Sequence, residues 1–104
     1  PELIEYIERV RRQVDVPVST AEPPYVWKNH PELVEAVDFI TIHLLPYWEK
    51  VPITHAVEFV ENNINEIKAL YPHKHVLIGE VGWPSDGAYR GPAEASLVNQ
   101  AGFI

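Results

Sequence analysis

The chain has 104 residues, 46 % hydrophobic and 22 % charged, a balance that fits one globular domain or part of one. Its formal net charge of −7 argues against a nucleic-acid partner, because phosphate binding needs clustered Lys and Arg. No apolar run approaches the roughly 18 to 20 residues of a membrane-spanning helix, and the lack of cysteine removes disulfide and thiol chemistry without fixing a compartment.

Leu3, Ile4, Ile7, Val10 and Val14 form one apolar stripe at helical spacing. On the wet side Glu5–Arg9 and Glu8–Arg12 are i,i+4 pairs in the favourable order, so Arg9, Arg11 and Arg12 read as a solvated helix face. Residues 16–20 predict a first strand, with Pro17 tolerated near its start. Residues 21–25, carrying Pro23 and Pro24, predict a loop. Pro31 opens a short helix through Val37, Asp38 punctuates, and residues 39–44 predict a second strand that Pro46-Tyr47-Trp48 ends abruptly. A long helix follows from about Ile53 to Leu70, with Val57, Val60, Ile64 and Ile67 facing inward. Pro72 stops it, residues 76–81 predict the third strand, and a loop runs from 82 to 92 before a last helix near Ala93. The absence of methionine, with helical periodicity directly from Pro1, predicts that residues 1–104 are a piece of a longer protein.

Alternation of this kind gives a parallel sheet covered by helices. The glycine-rich turn of a doubly wound nucleotide fold is missing, and each strand ends in polar or aromatic residues suited to a site. The expected fold class is α/β, a partial (β/α)8 TIM barrel of about three parallel strands with flanking helices. A whole barrel has eight strands in about 250 residues. Three strands leave two open sheet edges, so self-association through those edges, or pairing with further segments, is expected.

The most informative stretch is Val76-Leu77-Ile78-Gly79-Glu80-Val81-Gly82-Trp83-Pro84-Ser85. A continuous apolar strand of the kind buried in parallel sheets has little reason to carry Glu except at its end. Active sites of parallel α/β barrels are built at those C-terminal strand ends. A carboxylate there, with an indole three residues on, suggests a site for sugar: an acid for the anomeric carbon and a flat ring for the pyranose face.

Gly79-Glu80-Val81-Gly82-Trp83-Pro84-Ser85 resembles the Glu-x-Gly-Trp-Pro-Ser signature of glycoside hydrolase family 17, the β-1,3-glucanases and β-glucan transglycosylases. Residues 38–49, Asp-Phe-Ile-Thr-Ile-His-Leu-Leu-Pro-Tyr-Trp-Glu, are similar to the bacterial branch, where such domains accompany β-glucan synthesis in a cell-envelope or extracellular setting. The resemblance implies strands five to seven of one barrel domain, a retaining mechanism, and Glu80 as nucleophile. It also implies an acid/base Glu in an Asn-Glu pair after strand four, ahead of Pro1. Asn65-Glu66 lies in mid-helix and does not supply it.

A retaining glycosidase sets two carboxyl groups about 5 to 5.5 Å apart, one attacking C1 and one protonating the leaving oxygen. Glu80 suits the attack; the plainer alternative is a strand-end Glu bonded to a neighbouring loop. Trp83 suits stacking on sugar, or packing at the barrel mouth beside Pro84. Tyr47 and Trp48 leave the second strand at the same rim and either line a subsite or cap the barrel. His43, on a strand otherwise apolar except for Thr41, either holds a sugar hydroxyl, orients a carboxylate, or is a satisfied core histidine. Glu22 follows the first strand, where its carboxylate either faces the cleft or braces a loop. Asp86 and Arg90, in the loop after Glu80, either contact glucan or are ordinary polar loop residues. His73 and His75 sit at the opposite barrel face without a third ligand, so no metal and no cofactor is expected. The expected partner is a β-glucan oligosaccharide or polysaccharide, acted on by hydrolysis or by transfer to another sugar. The rivals are a non-catalytic glucan-binding or scaffold piece and, weakly, an aldolase-type barrel, which no strand-end lysine supports: Lys28, Lys50, Lys68 and Lys74 all fall in loops or helices.

Overall fold

A computed structural model describes residues 2–104. Helix α1 (Glu2–Gln13) is followed by strand β1 (Ala21–Glu22), helices α2 (Pro24–Asn29) and α3 (Pro31–Ala36), and strand β2 (Ile40–Leu44). A 3-10 turn (Ile53–His55) leads into α4 (Ala56–Leu70), then strand β3 (Val76–Val81) and helix α5 (Leu97–Phe103). The sheet is parallel throughout, in the order β1-β2-β3. The expected α/β class holds, with three parallel strands and flanking helices.

The first strand lies later than residues 16–20 predict. That segment does run beside the entry to β2, where the Asp38 N–H donates to the Val18 carbonyl at 2.8 Å, but side chains make its other bonds there. Val18 donates its N–H to Asp38 Oδ2 at 2.7 Å, and Ser19 Oγ donates to the Phe39 carbonyl at 2.6 Å. Pro17 has no N–H to offer, so the regular ladder begins only where Ala21 faces Thr41. Residues 24–29 correct a second expectation, being helix and not loop. Pro24 occupies the first helical position, where a proline ring is already set for the helix and its missing N–H leaves no bond unmade. Helix α5 begins at Leu97 and not near Ala93, because Ser96 caps it by accepting from the Asn99 N–H at 3.0 Å.

One core lies between the sheet and the helices. Ile40, Ile42 and Leu44, alternate residues of β2, are fully buried on that face with Trp27, Val34, Val37 and Ile67. The Trp27 indole donates to the Thr41 carbonyl at 3.0 Å, and Tyr71 Oη donates to the Trp27 carbonyl at 2.8 Å. These bonds tie α2 to β2 and to the end of α4. Buried Asn63 is satisfied, accepting from Lys28 Nζ at 2.7 Å and donating to the Phe59 carbonyl at 2.8 Å. Val57 departs from the inward stripe expected of α4 and is 50 % exposed. It lines an apolar groove of about 530 Å³ with Val81, Trp83 and Phe103, beside the outer strand β3.

Asp38 closes the opposite end of the sheet. It pairs with Arg11 at 2.5 Å, and Arg11 also donates to the Ala36 carbonyl at 2.9 Å. The Val18 N–H first, and Arg11 after it, hold the Asp38 carboxyl below the usual aspartate range against the opposing effect of desolvation.

Candidate active site

Strict alternation along β3 would put Glu80 on the wrong face. Ile40, Thr41 and Ile42 pair with Val76, Leu77 and Ile78, so the next step would match His43 with Gly79 and Leu44 with Glu80. The register shifts after Ile42, and His43 instead faces Glu80. Gly79 is the extra residue of a β-bulge, a device that re-aims a side chain where pairing is interrupted. The shift takes Glu80 off the buried face of Leu44 and sets it on the open face with Thr41 and His43. His43 Nδ1 then lies 3.8 Å from Glu80 Oε2, beyond hydrogen-bond distance.

The bulge needs glycine. A Cβ on Gly79 would stand 2.7 Å from Thr41 Cγ2 and 3.1 Å from the His43 ring. Thr41 cannot give way freely, since its Oγ1 donates to Ser19 Oγ at 2.9 Å.

Glu80 is well exposed and opens into a pocket of about 270 Å³ lined by Leu45, Trp48, Gly82, Trp83 and Pro84. It is the only acid among the described residues that line it. Trp83 borders the pocket but is 4 % exposed, with its indole N–H donated to the Glu94 carbonyl at 2.8 Å. It joins Tyr47, Ala56, Ala93 and Ala95 in a second small core. Tyr47 corrects the expectation of a subsite residue. It is buried edge-on against Trp83, its hydroxyl donates to the Ala88 carbonyl, and it does not line the pocket. Trp48 is the exposed member of the Tyr47-Trp48 pair and does line it.

Glu22 is a second correction. It pairs in register with Ile42, whose side chain faces the helices. Its carboxylate accordingly lies on the helix side among Leu3, Ile4, Val26 and His30, away from Glu80. Facing the cleft would require the residue before or after it, a distinction that depends on register and not on residue type. Glu49, next to Trp48, is exposed by area, yet enough protein surrounds its carboxyl to push its pKa up, with Lys28 opposing the shift. His73 pairs with Glu35 at 3.3 Å, and no trio of described His, Asp or Glu residues is grouped to hold a metal ion.

Sequence reasoning passed over two features of the rim. The Arg90 guanidinium carbon lies 4.9 Å from the centre of the Trp48 ring, and Arg90 Nε and one terminal nitrogen both donate to the Trp48 carbonyl, at 3.3 and 3.2 Å. No local pattern joins residues that far apart in the chain. Gly79 was visible as a glycine before the acid, but its neighbours come from another strand.

The model of the BtgE/BtgC glycoside hydrolase domain matches residues 1–104. A probable glucan endo-1,3-beta-glucosidase of Aspergillus niger is 32 % identical over 98 % of this chain, and a probable beta-glucosidase of Aspergillus clavatus is 36 % identical over 81 %. The chain spans only 25 % and 15 % of the length of those two relatives. The glycoside hydrolase family 17 beta-1,3-glucanosyltransferase of Rhizomucor miehei superposes with a TM-score of 0.83 at 31 % identity, over 98 % of this chain and 39 % of that one. An active-site mutant of it in complex with laminaritriose superposes at 0.84. These relatives are fungal, so they give the expected bacterial branch no support. With its three parallel strands matching part of a family 17 barrel, this chain belongs to the BtgE/BtgC glycoside hydrolase family.

Proposed function

We propose that this chain carries the nucleophile side of a retaining site for β-1,3-glucan, with Glu80 as the nucleophile, and that it corresponds to strands five to seven of a single barrel domain. The observation that carries the reading is the bulge at Gly79, which turns a strand-end carboxylate onto the open face, opposite His43 and into a tryptophan-bordered pocket. In the first step a Glu80 oxygen bonds to C1 as the C1–O bond to the leaving sugar breaks. The leaving oxygen takes its proton from a second carboxylic acid, which lies outside residues 1–104. Water or a sugar hydroxyl then attacks C1, gives up its proton to that same acid/base, and frees Glu80. His43 orients the Glu80 carboxylate, Trp48 offers its exposed ring to a pyranose, and Trp83 forms the pocket wall.

The likeness to a glucanosyltransferase favours transfer to a sugar acceptor as the second reading. The two share the glycosyl-enzyme intermediate and differ only in what attacks it. A glucan-binding piece without turnover is the outcome if Glu80 never becomes glycosylated.

The test is intact-mass and peptide mapping after incubation with an activated 2-deoxy-2-fluoro-β-glucoside, whose good leaving group makes the second acid unnecessary. A glycosyl adduct on Glu80, absent from Glu80→Gln, is the expected result. Folded protein that acquires no adduct overturns the assignment for this chain.

A further inference from the structure

Of the three tryptophans, Trp27 and Trp83 are buried with their indole N–H groups bonded, and Trp48 is 55 % exposed. An exposed ring on a short turn swings among rotamers unless something fixes it, and each binding event then has to stop that motion. Arg90 fixes this one. Its guanidinium sits over the Trp48 ring, while two of its N–H groups grip the Trp48 carbonyl. The ring and the backbone of one residue are thereby held by a single side chain.

Arg90 is itself anchored. Its N–H donates to the Ala93 carbonyl at 2.9 Å and its carbonyl accepts from the Ala93 N–H at 3.0 Å, closing a tight turn. Gly91 makes the turn at φ +57 and lies beside Lys50, which holds φ 63 at the end of the Trp48 turn. Two left-handed residues from distant parts of the chain thus lie side by side where the rim loop meets the Trp48 turn. Tyr47 braces the ring from another side, edge-on at 5.2 Å.

We propose that Arg90 is a positioning residue for glucan binding: it acts through Trp48, holding the indole as a preset platform at the mouth of the Glu80 pocket. This rests on the reading of that pocket as a β-1,3-glucan site. A planar guanidinium suits the task better than an ammonium, because it can lie over a ring and still donate in two directions.

The probe is laminaritriose, with binding followed by calorimetry and Trp48 followed by acrylamide quenching, since the other two tryptophans are shielded. In Arg90→Ala, quenching rises and the Kd for laminaritriose rises about three- to tenfold. Arg90→Lys, which keeps a cation but loses the two-pronged grip, falls between the two proteins in both readings. In a Trp48→Ala background, Arg90→Ala adds no further loss, as two residues acting as one unit require. Additive losses would mean that Arg90 meets the sugar itself and would overturn the proposal, as would an unchanged Kd in Arg90→Ala. If the unaltered chain neither binds laminaritriose nor forms the Glu80 adduct, the glucan reading falls and this proposal with it. If it does both and only the Arg90 variants are silent, the positioning role alone is refuted.

Discussion

Thr41 presses its Cγ2 methyl against Gly79, leaving 2.7 Å where a Cβ would stand. A threonine is stiff at χ1, and this one is tethered through its hydroxyl to Ser19. Gly79→Ala is therefore expected to destabilise the fold by about 1–3 kcal/mol, the range for overpacking. It is also expected to abolish Glu80 glycosylation under conditions where the protein remains folded. Urea unfolding and peptide mapping check the two effects. Adding Thr41→Ser removes the methyl but keeps the hydroxyl and should recover part of the stability. The recovery is partial because the His43 ring still stands 3.1 Å from the new methyl.

The Trp27–Tyr71 contact predicts a graded response. Tyr71→Phe leaves the Trp27 carbonyl without its 2.8 Å donor in the core, at a cost of about 1–3 kcal/mol. Trp27→Ala empties a fully buried site and should cost about 3–5 kcal/mol. Chemical denaturation of both variants gives the order, and a larger loss for Tyr71→Phe would refute it.

Asp38 sets an acid dependence. Its folded pKa is lowered, with the Val18 N–H as the first cause. Its stabilisation is therefore complete above the unfolded aspartate value, about 3.9, and is lost as pH falls through the lower folded value. Asp38→Asn should lower stability at neutral pH and flatten the loss of stability between about pH 5 and pH 2. Urea midpoints measured across that interval test it; parallel curves for the two proteins would rule it out.

Glu49 works in the opposite direction. Desolvation raises its folded pKa, so the folded protein holds the proton more tightly than the unfolded chain. Its contribution becomes more favourable as pH falls through that raised value. Glu49→Gln should then be as stable as the parent or slightly more so at pH 7, with the difference shrinking in acid. The effect is small because the side chain keeps solvent contact.

Strand β3 occupies an end of the sheet, and Leu77, Ile78 and Val81 remain 54 %, 44 % and 45 % exposed. An apolar edge of this kind takes up another strand when one is offered. Light scattering should show an apparent mass that rises with concentration, and Ile78→Lys should hold the chain closer to a monomer. Concentration-independent mass in the unaltered chain would contradict this.

Much of the fold is legible in sequence where packing is periodic. Strand β3 spans the expected residues, and β2, α3 and α4 differ from expectation by a few residues at their ends. Misreadings cluster where two segments decide the outcome together. The strand expected at 16–20 gives way because Asp38 and Ser19 side chains replace ladder bonds. Glu22 turns to the helix side through its pairing with Ile42, and Tyr47 is drawn into a core completed by Trp83 and Ala95. Glu80 was legible as the reactive acid candidate from its neighbours in the chain. Its direction was not, because the register shift is shared between Gly79 and β2.

The shifted register gives β2 and β3 a common phase. Grafting the Glu80 strand alone onto another barrel would carry the acid but not its aim, since a host strand in ordinary register returns it to the helix side. The two strands therefore act as one unit, from Thr41 through Glu80. Deleting Gly79 would leave Glu80 opposite His43 in an ordinary ladder, whereas keeping Gly79 and losing the shift would exchange the surroundings of Glu80 for those of Leu44.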